Sequence, residues 1–259
     1  MKRSISEEKC IGCGKCVADC VNGYIELNER EDGTKVAAFS EKGRCLDCGH
    51  CNAICPQGAI TGGDNLINPD HEPDVIEKLM SEKRTIRKYL KGESISQVGL
   101  DRIIYAAQTA PTDRNRQSAR VILVKDALPE VYQKALDYLV EEVEKTGTIN
   151  PLYASTMRLN NNRDEILWNA EYLIVLAGRP GSITDAVIAA ERMQLEAAYL
   201  GIGTAYRGDM KTAINSREEL KALLGIKNRE EVLVCFAMGM TDVKYYRPAA
   251  KNNRKIEYR

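Results

Sequence analysis

The 259-residue sequence has no excess of charge and no long apolar run. Its 37 basic residues are balanced by 37 acidic residues, so no basic field predicts a nucleic acid or an anionic membrane as partner. No apolar run approaches the roughly 20 residues of a membrane-spanning helix. The start of the chain, MKRSISEEKCIGC, also lacks the apolar segment of a secretory signal. We therefore expect a cytoplasmic protein without nucleic-acid or membrane partners.

A dinucleotide-binding fingerprint is also absent. No G-x-G-x-x-G follows a predicted strand, so the sequence does not indicate a Rossmann-type NAD site. The nearest group of glycines, LGIGTAYRGD (200–209), follows a predicted helix. Only two histidines are present, and we interpret His50 as a solvent-facing loop residue and His71 as part of a solvated linker.

What the sequence does contain is nine cysteines, eight of them in two copies of the spacing C-x2-C-x2-C-x3-C. The two copies consist of Cys10, Cys13, Cys16 and Cys20, and of Cys45, Cys48, Cys51 and Cys55. Thiolates that recur every third residue converge on a metal centre rather than on each other, so iron–sulfur ligation is favoured over structural zinc or disulfides. The ninth, Cys235, lies in an apolar run and is interpreted as a small buried hydrophobic residue.

The cysteine pattern resembles the ligand run of bacterial-type ferredoxins with two 4Fe–4S clusters. In those proteins the fourth cysteine of each run binds the other cluster. The resemblance therefore implies one ligand set of Cys10, Cys13, Cys16 and Cys55, and another of Cys45, Cys48, Cys51 and Cys20. Pro56 follows Cys55 as the pattern expects, but Val21 follows Cys20, which predicts a changed loop rigidity and potential at the second cluster with the same ligand set.

The two cysteine runs form an internal repeat offset by 35 residues. The repeat includes Gly14 and Gly49, which are expected to let the backbone turn tightly and direct amide N–H groups at the cluster sulfurs. Between the runs, two short strands are predicted around a turn at 31–33. We assign residues 1–62 to a ferredoxin-like domain that holds two 4Fe–4S clusters.

A Gly-, Asn-, Asp- and Pro-rich linker, 63–73, precedes a second domain at 74–259. Strands are predicted at 121–124, 172–178 and 231–239, and an Ala-rich helix at about 185–200. Ser96 is predicted to cap one helix, and Ser216 with Glu219 to form the capping box of another. Several helices around a few buried strands predict an α+β domain.

Two polar segments of the second domain carry candidate ligand contacts. The segment KRTIRKY (83–89) groups three cations with a threonine, which suits a phosphate. The segment APTDRNRQSAR (110–120) offers neutral donors and acceptors that suit the edge of a heteroaromatic ring. On their chemistry alone both segments are also compatible with solvated surface.

The order of these segments, followed by LGIGTAYRG and a strand that ends in GM, resembles the nitroreductase family of flavoproteins over nearly all of residues 73–259. With the N-terminal repeat, the chain resembles ferredoxin–nitroreductase fusions. The resemblance implies an α+β homodimer that holds FMN at the subunit interface. It assigns the FMN phosphate and ribityl end to Lys83, Arg84, Thr85 and Arg87, with Lys251 preferred over Arg254 and Arg247 as a further C-terminal cation. It assigns flavin contacts from the partner subunit to Pro111, Thr112, Asn115 and Gln117, and the backbone N–H that faces flavin N5 to Gly208.

The predicted function is an FMN-dependent oxidoreductase whose two 4Fe–4S clusters relay electrons from an external donor, ferredoxin or NAD(P)H, to FMN and a small organic acceptor such as a nitroaromatic or a quinone. No protein nucleophile is expected. Two alternatives stay open: a reductive dehalogenase or ene-type reductase on the same flavin, and a non-catalytic electron-transfer or redox-sensing module. Substrate contacts would come from 146–168, which contains Tyr153, Met157, Arg158, Arg163 and Trp168, although packing or surface roles are equally open for these residues.

Overall fold

The computed structural model describes residues 3–41, 45–62, 74–146, 166–249 and 255–259. The chain divides into two compact units, Met1–Glu82 with Lys244–Arg259, and Lys83–Val243. This division differs from the expected boundaries in two places. Residues 74–82 group with the N-terminal unit, and so does the C-terminal segment that begins at Lys244.

The N-terminal unit is built from short elements, namely β1 Ser4–Ile5, α1 Lys15–Asp19, β2 Ile25–Glu29, β3 Lys35–Phe39, α2 His50–Ile54, β4 Ile60–Thr61 and α3 Val75–Glu82. Strands β2 and β3 pair antiparallel, as predicted for the segment between the cysteine runs. Strands β1 and β4 also pair antiparallel and join the two ends of the ferredoxin-like region.

The internal repeat is visible in the backbone of this unit. Helices α1 and α2 each begin after a left-handed glycine, Gly14 with φ 72° and Gly49 with φ 75°. A residue with a Cβ would be strained at this φ, so the two glycines allow the cysteine loops to turn into the helices. The equivalence extends to Cys20 (φ −79°, ψ 101°) and Cys55 (φ −71°, ψ 115°). The backbone therefore leaves both helices in the same extended conformation, and the expected effect of Val21 on loop rigidity and cluster potential stays a prediction.

The second unit combines longer helices with strands, namely α4 Gln97–Gln108, β5 Arg120–Val124, α5 Leu128–Thr146, β6 Tyr172–Gly178, α6 Ile183–Tyr199, β7 Ile202–Tyr206, α7 Gly208–Ser216, α8 Glu218–Leu223 and β8 Glu231–Met240. Its four described strands form an antiparallel sheet in the order β5-β6-β8-β7, which leaves β7 at one edge. The α+β class predicted from the sequence is confirmed.

The core of the second unit lies between the sheet and its helices. All seven residues of β6 are buried, as its continuous apolar run predicts for a strand covered on both faces. Alanines of α6, such as Ala190 and Ala197, lie in the core and bring the helix close to the sheet. The Ser96 side chain accepts a hydrogen bond from the Gly99 N–H, which confirms the predicted cap.

One helix boundary was predicted wrongly. Ser216 is the last residue of α7, and Arg217, which makes no capping side-chain hydrogen bond, is the N-cap residue that precedes α8. The spacing Ser-x-x-Glu suits a capping box, but α7 continues through the serine because its preceding apolar residues, Ala213 and Ile214, are fully buried. Among the described residues, no helix combines the length and the apolar character that a membrane crossing requires.

Candidate functional site

Four of the predicted cluster ligands line one cavity in the N-terminal unit. Cys10, Cys13, Cys16 and Cys55 surround a space of about 370 Å³, part of it open to solvent. The other walls are mostly apolar side chains, among them Ile5, Ile11, Ala37, Ala59 and Ile60. Cys55 comes from the second cysteine run and the other three from the first, so the fold brings together the four cysteines that the ferredoxin pattern groups in one crossed set.

The electrostatics of Cys16 reflect the same grouping. The pKa of its thiol is raised to about 11, mainly by burial and in addition by the neighbouring Cys13, Cys55 and Cys10. Negative charge on the surrounding sulfurs disfavours a thiolate at Cys16 in this apolar cavity. Iron ions would supply the positive charge that holds them as thiolates, so the donor set fits an iron–sulfur centre.

Backbone amides point at the sulfurs at equivalent positions of the repeat. The Tyr24 N–H donates to Cys20 Sγ at 3.3 Å, and the Ala59 N–H, 35 residues later, donates to Cys55 Sγ at 3.4 Å. Cys10 Sγ accepts from the Ala37 N–H, and Cys45 Sγ accepts from the Asp47 N–H. Such N–H donors stabilise negative charge on the sulfurs.

The second ligand set is grouped around Cys51. The pKa of the Cys51 thiol is raised to about 12, mainly by burial; the Arg3 guanidinium opposes the rise, and Cys48 and Cys20 contribute to it. Cys20 therefore acts on a thiol of the second cysteine run, which is the other half of the crossing. Arg3 is itself paired with the Asp47 carboxylate at 2.6 Å.

No group of three or more His, Cys, Asp or Glu side chains within the described ranges converges as the ligands of one metal ion do. A zinc site requires such convergence because all four ligands bind the same ion. A four-iron cluster does not, because each thiolate binds a different corner of the cubane. The spread of thiols around a cavity is compatible with the second kind of centre.

His50 differs from its interpretation as a solvent-facing loop residue. It is the first residue of α2, it is half-buried, and its ring packs edge-on against Tyr245 with the ring centroids 5.8 Å apart. The aromatic contact comes from a segment almost 200 residues away in sequence, so the local pattern could not indicate it. His71 lies outside the described residues.

In the second unit, the cationic segment Lys83–Tyr89 runs along the edge of the sheet. Thr85 forms a parallel bridge with Thr204 of β7, and the Ile86 N–H donates to the Thr204 carbonyl at 2.9 Å. Strand β7 leads directly to Arg207 and Gly208. The fold thus brings the predicted phosphate-binding segment to the strand that ends at the predicted flavin-N5 position.

Three arginines are gathered near this edge. Arg84 is buried with 7% of its surface exposed. The Arg87 guanidinium lies over the ring of Trp168, with its Cζ 6.0 Å from the ring centroid, and that of Arg207 lies closer, at 4.4 Å. Trp168 has a left-handed backbone with φ 51°. The indole ring therefore lies between a predicted cofactor contact and the residue before Gly208, a role that its position in 146–168 did not predict.

Arg207 and Asp209 form a buried ion pair that flanks Gly208. Burial raises the pKa of the Asp209 carboxyl, and the Arg207 charge opposes the rise. Arg207 Nε is buried and has no hydrogen-bond acceptor in the part of the chain that the structure describes. A Cβ added to Gly208 would meet no heavy atom within 4 Å. Open space at Gly208 and a buried donor on the preceding residue fit a ligand at this place.

The remaining predicted FMN contacts are Lys83 and the residues of the loop from Pro111 to Gln117. The Lys83 ammonium binds both carboxylate oxygens of Glu191 at 2.8 and 2.9 Å. The loop from Pro111 to Gln117 is largely exposed, and three of its residues adopt a positive φ, namely Arg114, Asn115 and Gln117. The Gln117 N–H donates to the Thr112 hydroxyl at 3.0 Å, which closes the loop.

Several predicted residues cannot be placed. Lys251 and Arg254 lie outside the described residues, as do Tyr153, Met157, Arg158 and Arg163. Arg247, the third C-terminal candidate, lies in the N-terminal unit. Arg207, Asp209 and Glu191 were not predicted from the sequence, although the first two stand beside Gly208 in AYRGD, which was the available signal.

Residues 80–240 match the family model described as "Nitroreductase family", and residues 9–59 match the model described as "4Fe-4S dicluster domain". An FMN-bound nitroreductase from Desulfitobacterium hafniense DCB-2 is 26% identical, with a TM-score of 0.58, and the match covers 70% of this chain and 96% of that one. An FMN-bound nitroreductase from Bacteroides fragilis is 19% identical with a TM-score of 0.54, and the match covers 71% and 100% of the two chains. An FMN-dependent nitroreductase from Clostridium difficile R20291 is 18% identical with a TM-score of 0.57, covering 70% and 97%. No curated protein matches the chain.

Proposed function

The chain belongs to the nitroreductase family, and from this membership we propose that it binds FMN and two 4Fe–4S clusters and passes electrons from reduced ferredoxin to a small organic acceptor. The family and the N-terminal 4Fe-4S dicluster domain make the chain an iron–sulfur oxidoreductase. The identities of the donor and the acceptor, the number of clusters and the residues that hold each group are the proposed parts.

FMN binding is supported above all by the bridge between Thr85 and Thr204. It brings the cations of the first segment to the strand that leads to Gly208, although the two lie more than 100 residues apart in sequence. The Desulfitobacterium hafniense relative was crystallised with FMN. We assign the FMN phosphate and ribityl end to Arg84, Thr85 and Arg87, and the donor toward flavin N5 to the Gly208 N–H.

The other candidate residues are assigned secondary roles in FMN binding. Lys83 remains a contact near the phosphate, weakened by its pairing with Glu191. Pro111, Thr112, Asn115 and Gln117 would reach the flavin from the second subunit of a homodimer, and the exposure of their loop leaves them available for this. Lys251 remains our candidate for a further phosphate contact.

Two cluster sites are supported by the grouping of the cysteines. One set lines the cavity and consists of Cys10, Cys13, Cys16 and Cys55. The other is grouped around Cys51 and consists of Cys20, Cys45, Cys48 and Cys51, of which Cys20 and Cys48 act on the pKa of Cys51. The N–H donors at equivalent positions of the repeat suit two centres of the same kind.

The pairing of cofactors determines the class of reaction. When bound, the clusters supply one-electron transfer, and FMN supplies exchange between one-electron and two-electron chemistry. The protein's own residues bind and orient these groups: arginines neutralise the phosphate, thiolates hold iron, and the Gly208 N–H donates to the ring. A one-electron donor such as reduced ferredoxin and an acceptor such as a nitroaromatic or a quinone suit this arrangement. We place the protein in the cytoplasm, where a reducing environment keeps cysteine thiols available for iron.

The first test is the composition of anaerobically purified protein. We expect about eight irons and eight sulfides per chain, one FMN, and a broad iron–sulfur absorption beneath flavin peaks. Gel filtration with light scattering checks the homodimer. Zinc in place of iron, or a protein without flavin, would overturn the assignment.

The second test separates the donor from the flavin chemistry. A full-length variant with Cys16→Ala and Cys51→Ala removes one ligand from each set and leaves the second unit unchanged. We expect it to lose reduction of nitroaromatics or quinones driven by reduced ferredoxin, and to keep the bleaching of its bound FMN by stoichiometric dithionite, which reduces flavins directly. Unchanged ferredoxin-driven turnover would contradict the proposed donor.

A further inference from the structure

The C-terminal segment Lys244–Ala249 contacts the iron–sulfur unit at the end of helix α2. The Tyr246 N–H donates to the Ala53 carbonyl at 2.9 Å. The Arg247 guanidinium donates from Nη1 to the carbonyls of Asn52 and Cys55, each at 2.6 Å. The last carbonyls of a helix have no partner within the helix, and a cation there also interacts favourably with the helix dipole. Residues from the far end of the chain therefore cap α2 next to a predicted cluster ligand.

Arg247 brings an uncompensated positive charge to this place. Among the residues that the structure describes, no carboxylate lies within 4.0 Å of its guanidinium. Its Nη2 lies 3.5 Å from the position that a Cβ on Gly58 would occupy, next to the cavity wall. Lys15 lines the same cavity, and its ammonium donates to the Tyr246 hydroxyl at 3.2 Å. Two cations thus lie close to the centre that Cys55 would ligate.

The equivalent place in the other half of the repeat has the opposite character. Asp19, next to Cys20, is the counterpart of the apolar Ile54, next to Cys55. Its carboxylate accepts a hydrogen bond from the Tyr245 hydroxyl at 3.2 Å. The Arg3 charge near Cys51 is compensated by Asp47. The two halves share the glycine turn before each helix and the N–H···S bond at the fourth cysteine, but they differ in charge.

This difference acts on the redox equilibrium of each centre. Reduction adds one negative charge to a cluster, and a fixed cation nearby stabilises that charge, whereas a carboxylate destabilises it. Net charge, hydrogen bonds and exposure set the potentials of such clusters. Because the two halves share the glycine turn before each helix and the N–H donor to the fourth cysteine, the different side-chain charges beside these shared features are expected to separate the two potentials.

We propose that Arg247 is a positioning residue that raises the reduction potential of the centre held by Cys10, Cys13, Cys16 and Cys55 above that of the centre held by Cys20, Cys45, Cys48 and Cys51. This inference rests on the proposed cluster sites. The C-terminal segment thereby gives the two halves of a symmetric repeat different potentials, and the centre beside Arg247 is reduced first.

The test is a redox titration of the full-length holoprotein, followed by low-temperature electron paramagnetic resonance of the reduced clusters. We expect two midpoints in the unaltered protein. Arg247→Gln should lower the higher one by about tenfold in the equilibrium constant for reduction, about 59 mV for one electron, and leave the lower one in place. Lys244→Gln removes the same charge from an exposed neighbour that donates to no helix carbonyl, and should change neither midpoint.

A second variant keeps the test decisive if Arg247→Gln fails to retain its cluster. Gln57 lines the cavity and is the chain neighbour of Gly58, the glycine beside the Arg247 guanidinium, so Gln57→Glu adds a negative charge beside the centre and leaves the hydrogen bonds of Arg247 in place. It should lower the same midpoint. If neither variant shifts a midpoint, or if Lys244→Gln shifts it equally, the inference is wrong. Iron and sulfide are counted first in each preparation: unaltered protein without clusters overturns the proposed function, whereas intact clusters with unshifted midpoints overturn only the role of Arg247.

Discussion

Gly203 and Gly239 lie directly opposite each other on β7 and β8, and together they leave the space that the ring of Tyr89 fills. Ring atoms of Tyr89 lie 3.0 to 3.1 Å from the positions that a Cβ on either glycine would occupy. The Tyr89 hydroxyl donates to the Ala237 carbonyl at 3.3 Å. This buried ring fixes the end of the segment that carries Arg84 and Arg87.

Gly203→Ala tests the contribution of this packing. The new Cβ would lie 2.8 Å from a methyl group of Ile86, so the segment must move away from β7. Overpacking of this kind costs about 1–3 kcal/mol, and we expect a lower urea midpoint together with weaker FMN binding. An unchanged midpoint and unchanged FMN affinity would show that the segment adapts without loss.

Gly208→Ala should have the opposite pattern. Gly208 begins α7, and its Cβ would enter open space, so the unliganded protein should be as stable as before or slightly more stable. The same methyl group would occupy space that we assign to the flavin. We expect the FMN dissociation constant, measured by fluorescence, to rise about tenfold or more. Full FMN affinity would contradict the position proposed for Gly208.

The cations of the first segment should contribute unequally to FMN binding. Lys83 is held by both oxygens of Glu191, whereas the Arg87 guanidinium lies over the ring of Trp168, which the Arg207 guanidinium also contacts. A charge-assisted hydrogen bond is worth about 1.5–3 kcal/mol, so Arg87→Gln should weaken FMN binding by about 10- to 100-fold. Lys83→Gln should weaken it less.

Lys88→Gln is the matched control for both variants. Lys88 belongs to the same segment but is exposed and paired with Asp242. It should leave FMN binding unchanged. A larger loss with Lys83→Gln than with Arg87→Gln would reverse our ranking of the two cations.

Trp168 should matter through the two guanidinium groups over its ring. Cation–π contacts are worth about 0.5–2 kcal/mol each, more when they are desolvated. Trp168→Leu should release Arg87 and Arg207 and raise the FMN dissociation constant by about tenfold, as read by isothermal titration. Tyr199→Leu removes a similar contact with Arg102 on the exposed side of α6 and should have no such effect. If Trp168→Leu and Tyr199→Leu had the same effect on the FMN dissociation constant, Trp168 would have no specific role in FMN binding.

Pairs of cysteine substitutions test the crossed ligand sets. Cys20→Ala with Cys51→Ala removes two ligands of one centre, and we expect about four of about eight irons to remain. Cys16→Ala with Cys20→Ala affects both centres and should leave little iron. If the sets were not crossed, Cys16 and Cys20 would belong to one centre. The variant that lacks both would then keep about four irons, and the variant that lacks Cys20 and Cys51 would keep few. Cys235→Ala, at a buried thiol whose pKa burial raises to about 12, should keep all the iron.

Local patterns predicted much of the fold. The apolar run of β6, the serine cap at Ser96 and the hairpin between the cysteine runs each follow from contacts within a few residues, and each is confirmed. The burial of Cys235 is confirmed as well. Ser216 shows the limit, because its spacing suits a cap but the buried face of α7 extends the helix past it.

The sequence by itself determined the chemistry of the cysteine repeat and the class of both units, because ligand spacing and apolar periodicity are properties of neighbouring residues. Only the tertiary structure decided that Thr85 meets Thr204, that Trp168 lies between Arg87 and Arg207, and that Arg247 caps the helix before Cys55. These contacts join residues more than 35 positions apart, and several join residues more than 100 apart. Such pairs meet only when burial of the core brings their elements together, and no local pattern records which elements will meet.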